Sequence, residues 1–258
     1  MTTSFFVPDG DRFVPTELTR GPWDPRSQHG GPPAALLATE LERRHPRPEA
    51  RIVRFTVEIL RPVPLAPVEV ATRVLRPGKK VELLEATLDS GGQRLLHATA
   101  WRVRTDESAP RVDDTTPPLP PPSAGREVPF FPTGFDAGYH TGMEGRFLRG
   151  GFIEIGPAAV WMRMRHPLLP DEPPTPLARV LVAADSGNGI SGVLDYRRWL
   201  FVNPDLSVYL YRLPVGEWVG LDAATAVDGG VGLAQSTIHD ERGAIGRGLQ
   251  SLYVGERG

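Results

Sequence analysis

A carboxylate, an amide and a His-Gly-Gly tripeptide in this chain have the types needed to drive water against a carbonyl carbon. Such an attack needs a base for the water's proton and donors where the oxyanion develops. Asp185 falls where a helix should end, and an acidic group there opposes the helix dipole by about 0.3–1 kcal/mol. It could simply open the turn Asp-Ser-Gly-Asn-Gly, but its unfavourable place asks for a function, and a carboxylate in an apolar site is a usable base. Gln250 alternates with Gly248, Leu252 and Val254 on one strand face. A buried amide there needs partners. It could orient a water or serve the structure, and its pattern does not choose. His29 precedes Gly30 and Gly31, which would let a substrate approach the backbone at a helix N-terminus. His29 could be a base; as a loop residue before two glycines it is read as substrate-binding, together with Gly30 and Gly31.

Other chemistries fall away. The chain has no cysteine, which excludes disulfides, thiolate nucleophiles and cysteine metal sites. Its six histidines show no ligand spacing, so no metal site and no cofactor are expected. No Gly-x-Ser-x-Gly elbow is present. Gly187-Asn188-Gly189 is expected to end a helix, unlike a dinucleotide loop, which follows a strand. Arg76, Lys79 and Lys80 could meet phosphates, but a basic hairpin turn is more simply solvated. Trp161, Met162 and Met164 alternating with Arg163 and Arg165 read as a two-faced strand. With 29 basic and 31 acidic residues the net charge is −2, which argues against a nucleic-acid partner. The N-terminus lacks a signal-peptide pattern and no apolar run spans a membrane, so a cytoplasmic protein without a membrane partner is expected.

The elements that must position these residues are legible in outline. Eight prolines between residues 110 and 132 predict a linker at 109–132, dividing the chain into units 1–108 and 133–258. In the first unit, Ala34, Leu37, Ala38 and Leu41 fall on one helical stripe. Pro32 and Pro33 suit the helix start, and Arg43 and Arg44 its end. Strands follow at 52–60, 68–75, 81–89 and 94–104, punctuated by Pro77-Gly78 and Gly91-Gly92. Short turns between strands imply an antiparallel sheet. The second unit repeats the order: a helix at 176–185 with Leu177, Val180 and Leu181 on one face, then strands at 199–203, 206–213, 218–226, 231–239 and 245–254. The hairpin at 83–103 parallels that at 233–254, so the chain reads as two copies of one helix-plus-sheet unit.

That order, with His29-Gly30-Gly31, Leu60-Arg61-Pro62, Arg76-Pro77-Gly78, Ala184-Asp185, Asn203-Pro204-Asp205 and Leu249-Gln250-Ser251, resembles the double hot-dog acyl-CoA thioesterases, specifically the bacterial thioesterase II branch and its relatives. The resemblance covers nearly the whole chain outside the linker. It implies an α+β double hot dog, an acyl-CoA substrate, a homo-oligomer, and a catalytic trio of Asp, Thr and Gln that holds and activates a water. The Asp matches Asp185 and the Gln matches Gln250. The Thr position falls on Asn203, a departure that keeps an amide for holding water but loses the hydroxyl. Read without the resemblance, Asn203-Pro204-Asp205 is a turn. Asp185 is then the base, Gln250 orients the water and Asn203 helps hold it. Two alternatives stand beside this: a non-catalytic protein holding an acyl or other apolar ligand, and a hot-dog hydratase. A hydratase wants an Asp/His pair, and no histidine is expected near Asp185.

Overall fold

The computed structural model describes residues 3–257. Its elements repeat in order. The first set is β1 (Phe6–Asp9), β2 (Arg12–Pro15), α1 (Gly31–Arg44), β3 (Ala50–Ile59), β4 (Val68–Arg76), β5 (Val81–Ser90) and β6 (Gln93–Arg104). The second is α2 (Tyr139–Gly142), β7 (Met143–Arg149), β8 (Ala158–Met164), α3 (Pro176–Ala184), α4 (Gly187–Ile190), β9 (Trp199–Val202), β10 (Asp205–Leu210), β11 (Val219–Asp228), β12 (Val231–Asp240) and β13 (Gly243–Glu256).

The strands form one antiparallel sheet in the order β1-β2-β4-β5-β6-β3-β10-β13-β12-β11-β8-β7, with β9 alongside β13. The order is a palindrome of equivalent strands. β3-β6-β5-β4 on one side matches β10-β13-β12-β11 on the other, and β3 pairs with β10 at the centre. There Thr56 stands opposite Ser207, their hydroxyls 3.0 Å apart. A helix from each set lies on this sheet, α1 against β4 and β5, α3 against β8 and β11, and the two helices pack on each other. This is the α+β double hot-dog architecture expected.

Local sequence explains the helices. Pro32 and Pro33 occupy the first turn of α1, where missing N–H groups cost no intrahelical bond. Thr175 caps α3, its Oγ1 accepting from the Ala178 N–H at 3.2 Å, and Pro176 starts the helix. The stripe Ala34, Leu37, Ala38 and Leu41 is buried as expected, but so are Ala35 and Leu36. A helix enclosed by sheet and neighbouring helix buries its whole circumference. Each such leucine contributes about 1.5–3 kcal/mol of burial.

Four features depart from the sequence reading. Residues 6–15 form the β1–β2 hairpin at one sheet edge, turning at Gly10-Asp11, with Gly10 at φ 62°. Trp161 and Met162 are both buried, so β8 is covered on both faces. The cover over Trp161 is the proline segment itself: the Trp161 indole N–H donates to the Pro120 carbonyl at 2.7 Å. Arg247 holds the same segment through Asp114 and Thr116. The segment is therefore a packed strap as well as a connection. Gly187-Asn188-Gly189 forms the short α4 instead of a terminal turn, so the chain stays helical beyond Asp185. Among the described residues, no helix is long and apolar enough to cross a membrane.

Candidate active site

The two helices bring their ends together. Gly31 opens α1 directly on the backbone of α3, where an added Cβ would lie 2.5 Å from the Val182 carbonyl oxygen. Only a glycine permits this approach. The preceding loop is pinned by His29 N–H to the Thr19 carbonyl and Gln28 N–H to the Val63 carbonyl, each at 2.7 Å. His29 thereby faces Asp185 at the end of α3. His29 Nδ1 lies 3.0 Å from Asp185 Oδ2, with side-chain exposures of 13% and 7%. The expectation that no histidine stands near Asp185 is corrected here. The fold joins two residues that no local pattern connects.

The other carboxylate oxygen is also engaged. Asp185 Oδ1 accepts from Asn203 Nδ2 at 2.9 Å and from Gln250 Nε2 at 3.2 Å. Gln250 Nε2 also lies 3.2 Å from the Asp185 carbonyl oxygen, and its Oε1 accepts the Asn188 N–H at 3.0 Å. One amide thus ties Asp185 to the first turn of α4. Asn203 follows β9, and Pro204 separates it from β10. Asp185, Asn203 and Gln250 meet in one cluster. Gln250, expected to orient a water, is 2% exposed, and its amide is spent on Asp185 and Asn188. It positions the carboxylate and does not face the cavity.

The His29 ring stacks on Tyr139, with ring centroids 3.8 Å apart and planes 4° from parallel. The Tyr139 hydroxyl donates to the Val182 carbonyl at 2.8 Å and lies 2.9 Å from Ser186 Oγ. Burial pushes the Tyr139 phenol well above its ordinary value, so it stays a neutral donor. Burial also pulls the His29 pKa below its ordinary value, against the opposing pull of Asp185. Burial thus favours the uncharged ring.

His29, Gly30, Asp185 and Asn203 line a cavity of about 440 Å³. Ile59, Val63 and Leu96 form one apolar wall, and Trp23, Phe130, Phe131 and Phe152 form another. A second hollow of about 280 Å³ shares Trp23, Phe131 and Phe152 and adds Ile153, Ile155 and Tyr196. Of Gly30 and Gly31, Gly30 lines the cavity, and a Cβ there would come 2.9 Å from Asp185 Oδ2. Gly31, expected beside the substrate, is buried against Val182 and serves helix packing instead. In the first turn of α1, Pro32 and Pro33 have no N–H, and the Gly31 N–H lies 3.2 Å from His29 Nδ1. The expected row of helix N–H donors shrinks to Gly30. None of Arg76, Lys79 and Lys80 lines the cavity, and all three are exposed.

Sequence reasoning missed Tyr139 and the aromatic wall. Phe130-Phe131 carried a usable signal, being adjacent aromatics in an otherwise polar, proline-rich stretch. Tyr139 carried none. The site combines a buried carboxylate, an imidazole and an apolar chamber, which suits proton removal from a water beside a greasy substrate.

Comparison with known proteins places the chain in a family and a fold. Residues 19–103 match the family profile of the acyl-CoA thioesterase N-terminal domain, and residues 113–254 that of the acyl-CoA thioesterase C-terminal domain. A protein of Thermobifida fusca YX assigned as a thioesterase II superimposes with a TM-score of 0.75 at 21% identity, covering 97% of this chain and 95% of that one. One of Novosphingobium aromaticivorans DSM 12444 assigned as a thioesterase gives 0.76 at 21% identity, covering 96% and 98%. A hot-dog protein of unknown function from Alicyclobacillus acidocaldarius gives 0.71 at 17% identity, covering 98% and 96%. These likenesses concern the fold. No curated protein matches the chain.

Proposed function

The chain belongs to the acyl-CoA thioesterase family and is a thioester hydrolase, and from that premise we propose that it cleaves a fatty or related acyl-CoA with a water activated at Asp185. The observation that carries the site assignment is the Asp185 carboxylate at an apolar cavity, with His29, Asn203 and Gln250 all turned on it. The acyl group lies along the apolar walls. Water attacks the carbonyl carbon, the Gly30 N–H is the donor available to the oxyanion, and the coenzyme A thiol leaves. Asn203 and Gln250 hold the carboxylate in place.

Purified protein with medium-chain acyl-CoA and a thiol-detecting reagent tests this. Thiol release without added metal, undiminished by a chelator, is the expected result; no release from any chain length sinks the reading. A second reading, hydration of an enoyl thioester, is favoured by the His29–Asp185 contact. It predicts loss of the enoyl group without thiol release in the same assay. Saturable binding without turnover would identify a ligand-holding protein.

Asn203 gives a finer test. A hydrogen bond contributes about 1 kcal/mol net, and 1.4 kcal/mol is a factor of about ten. Asn203→Thr keeps a polar group near Asp185 Oδ1 and is expected to change turnover by at most about tenfold. Asn203→Leu removes that donor and is expected to cost more. Equal activity of wild type and both variants, on one acyl-CoA, would reduce Asn203 to a turn residue before Pro204.

A further inference from the structure

The two hollows adjoin across shared walls, with Trp23, Phe131, Phe152, Asn188, Gly189 and Phe201 lining both. The helical chain past α3 places this junction. Asp185 and Gly189 stand four residues apart in a stretch that stays helical, which sets them on one face a turn apart. Gln250 Oε1 holds the intervening segment through the Asn188 N–H at 3.0 Å. Gly189 therefore stands where a substrate bound at Asp185 would leave the larger cavity. A Cβ added at Gly189 would meet nothing within 4 Å, and the same holds at Gly192, which lines the second hollow and not the larger cavity. Neither glycine has a positive φ, and neither makes a close approach. What the two supply is empty room.

The second hollow suits hydrocarbon. Leu194 and Tyr196 join the shared rings, and Ile153 and Ile155 stand at its rim, 52% and 66% exposed. The Gly156 N–H donates to the Gly192 carbonyl at 2.8 Å, which ties that rim to Gly192. Arg197 at the hollow is exposed and is accompanied by the carboxylates Asp195 and Glu154, also exposed, so the phosphates of coenzyme A meet like charge there. A saturated tail gains by covering the isoleucines, and a phosphate does not. Resting on the hydrolase reading, we propose that the second hollow holds the distal end of a long acyl chain whose thioester lies at Asp185, and that Gly189 and Gly192 set how long a chain is accepted. The two glycines are then specificity-determining positions, remote from the reacting atoms. Short acyl chains end inside the larger cavity and never reach Gly192.

Gly192→Leu fills the second hollow from outside the larger cavity. Each methylene denied apolar cover costs roughly fourfold, so displacing two or three costs about 15- to 60-fold. The expected result is a kcat/KM for palmitoyl-CoA lower by that factor, with butyryl-CoA turnover nearly unchanged and the melting temperature retained. Gly189→Leu, at the junction, is expected to move the cut-off to shorter chains. Palmitate binding, followed by calorimetry, is expected to weaken in Gly192→Leu by the same factor, a readout that needs no turnover. Equal losses on butyryl- and palmitoyl-CoA, or no loss on either, overturn the length assignment alone. A wild type that cleaves butyryl-CoA but not palmitoyl-CoA overturns it too. A wild type that releases no thiol at any chain length, yet binds palmitate more tightly than Gly192→Leu does, overturns the hydrolase reading and supports the hollow as an acyl site.

Discussion

Asp185→Asn lowers kcat by about 10²–10⁴-fold, the range expected when proton removal is disabled, while the protein stays folded. The substitution keeps the shape and removes the charge. It also converts one oxygen into an NH₂ group, and neither orientation suits the site. With the NH₂ group toward the Oδ1 position, it meets the amides of Asn203 and Gln250, both donors. Turned toward His29, it stands where Oδ2 lay 3.0 Å from Nδ1, which already accepts the Gly31 N–H. Thiol release under saturating acyl-CoA measures the effect, with the melting temperature as the control for folding. Full activity in Asp185→Asn would place the base elsewhere and withdraw the site.

Gly31→Ala is expected to damage stability and catalysis together. Its Cβ would sit 2.5 Å from the Val182 carbonyl oxygen and 3.1 Å from two further backbone atoms. Backbone cannot step aside as a flexible side chain can. Either α1 withdraws from α3 or its first turn distorts. Overpacking of this kind costs about 1–3 kcal/mol, from which alanine's helix preference returns about 0.5–1 kcal/mol. The net loss corresponds to a few degrees of melting temperature in a chain this size. The catalytic effect is larger. His29 lies two residues before Gly31 and meets Asp185 three residues after Val182, so the same displacement opens their 3.0 Å contact. A misplacement of about 1 Å costs roughly 10²-fold. Gly145→Ala, whose Cβ would meet nothing closer than 3.8 Å, is the control. A Gly31→Ala protein with wild-type kcat would show that the close helix crossing does not set the site.

The strands were legible because turns punctuate them. Pro77-Gly78 and Gly91-Gly92 delimit β4, β5 and β6 to within a residue or two. The β1–β2 hairpin escaped because its strands are four residues each and carry Pro8 and Pro15, which read as breakers although sheet edges tolerate them. The proline strap escaped for a different reason. Proline lacks the N–H that a ladder needs but keeps its carbonyl, and Trp161 uses just that acceptor. In the site, Gln250 announced itself as a polar residue on a buried face, and Asp185 by opposing its helix dipole. Asn203 came only through resemblance. The meeting of His29 with Asp185 was out of reach, because helix crossing, unlike periodicity, is decided by residues far apart in sequence.

The palindromic strand order has an evolutionary consequence. Equivalent positions in the two copies define two equivalent sites: the residues entering α1 with those leaving α3, and the residues entering α3 with those leaving α1. A homodimer of identical units must keep both sites or lose both, since each substitution appears twice. A fused pair is free of that constraint. Here the first combination holds His29 and Asp185, whereas the second holds Thr175 and Glu42, whose carboxyl burial pushes above its ordinary value. In a fused pair the two places differ, so either can be changed without altering the other.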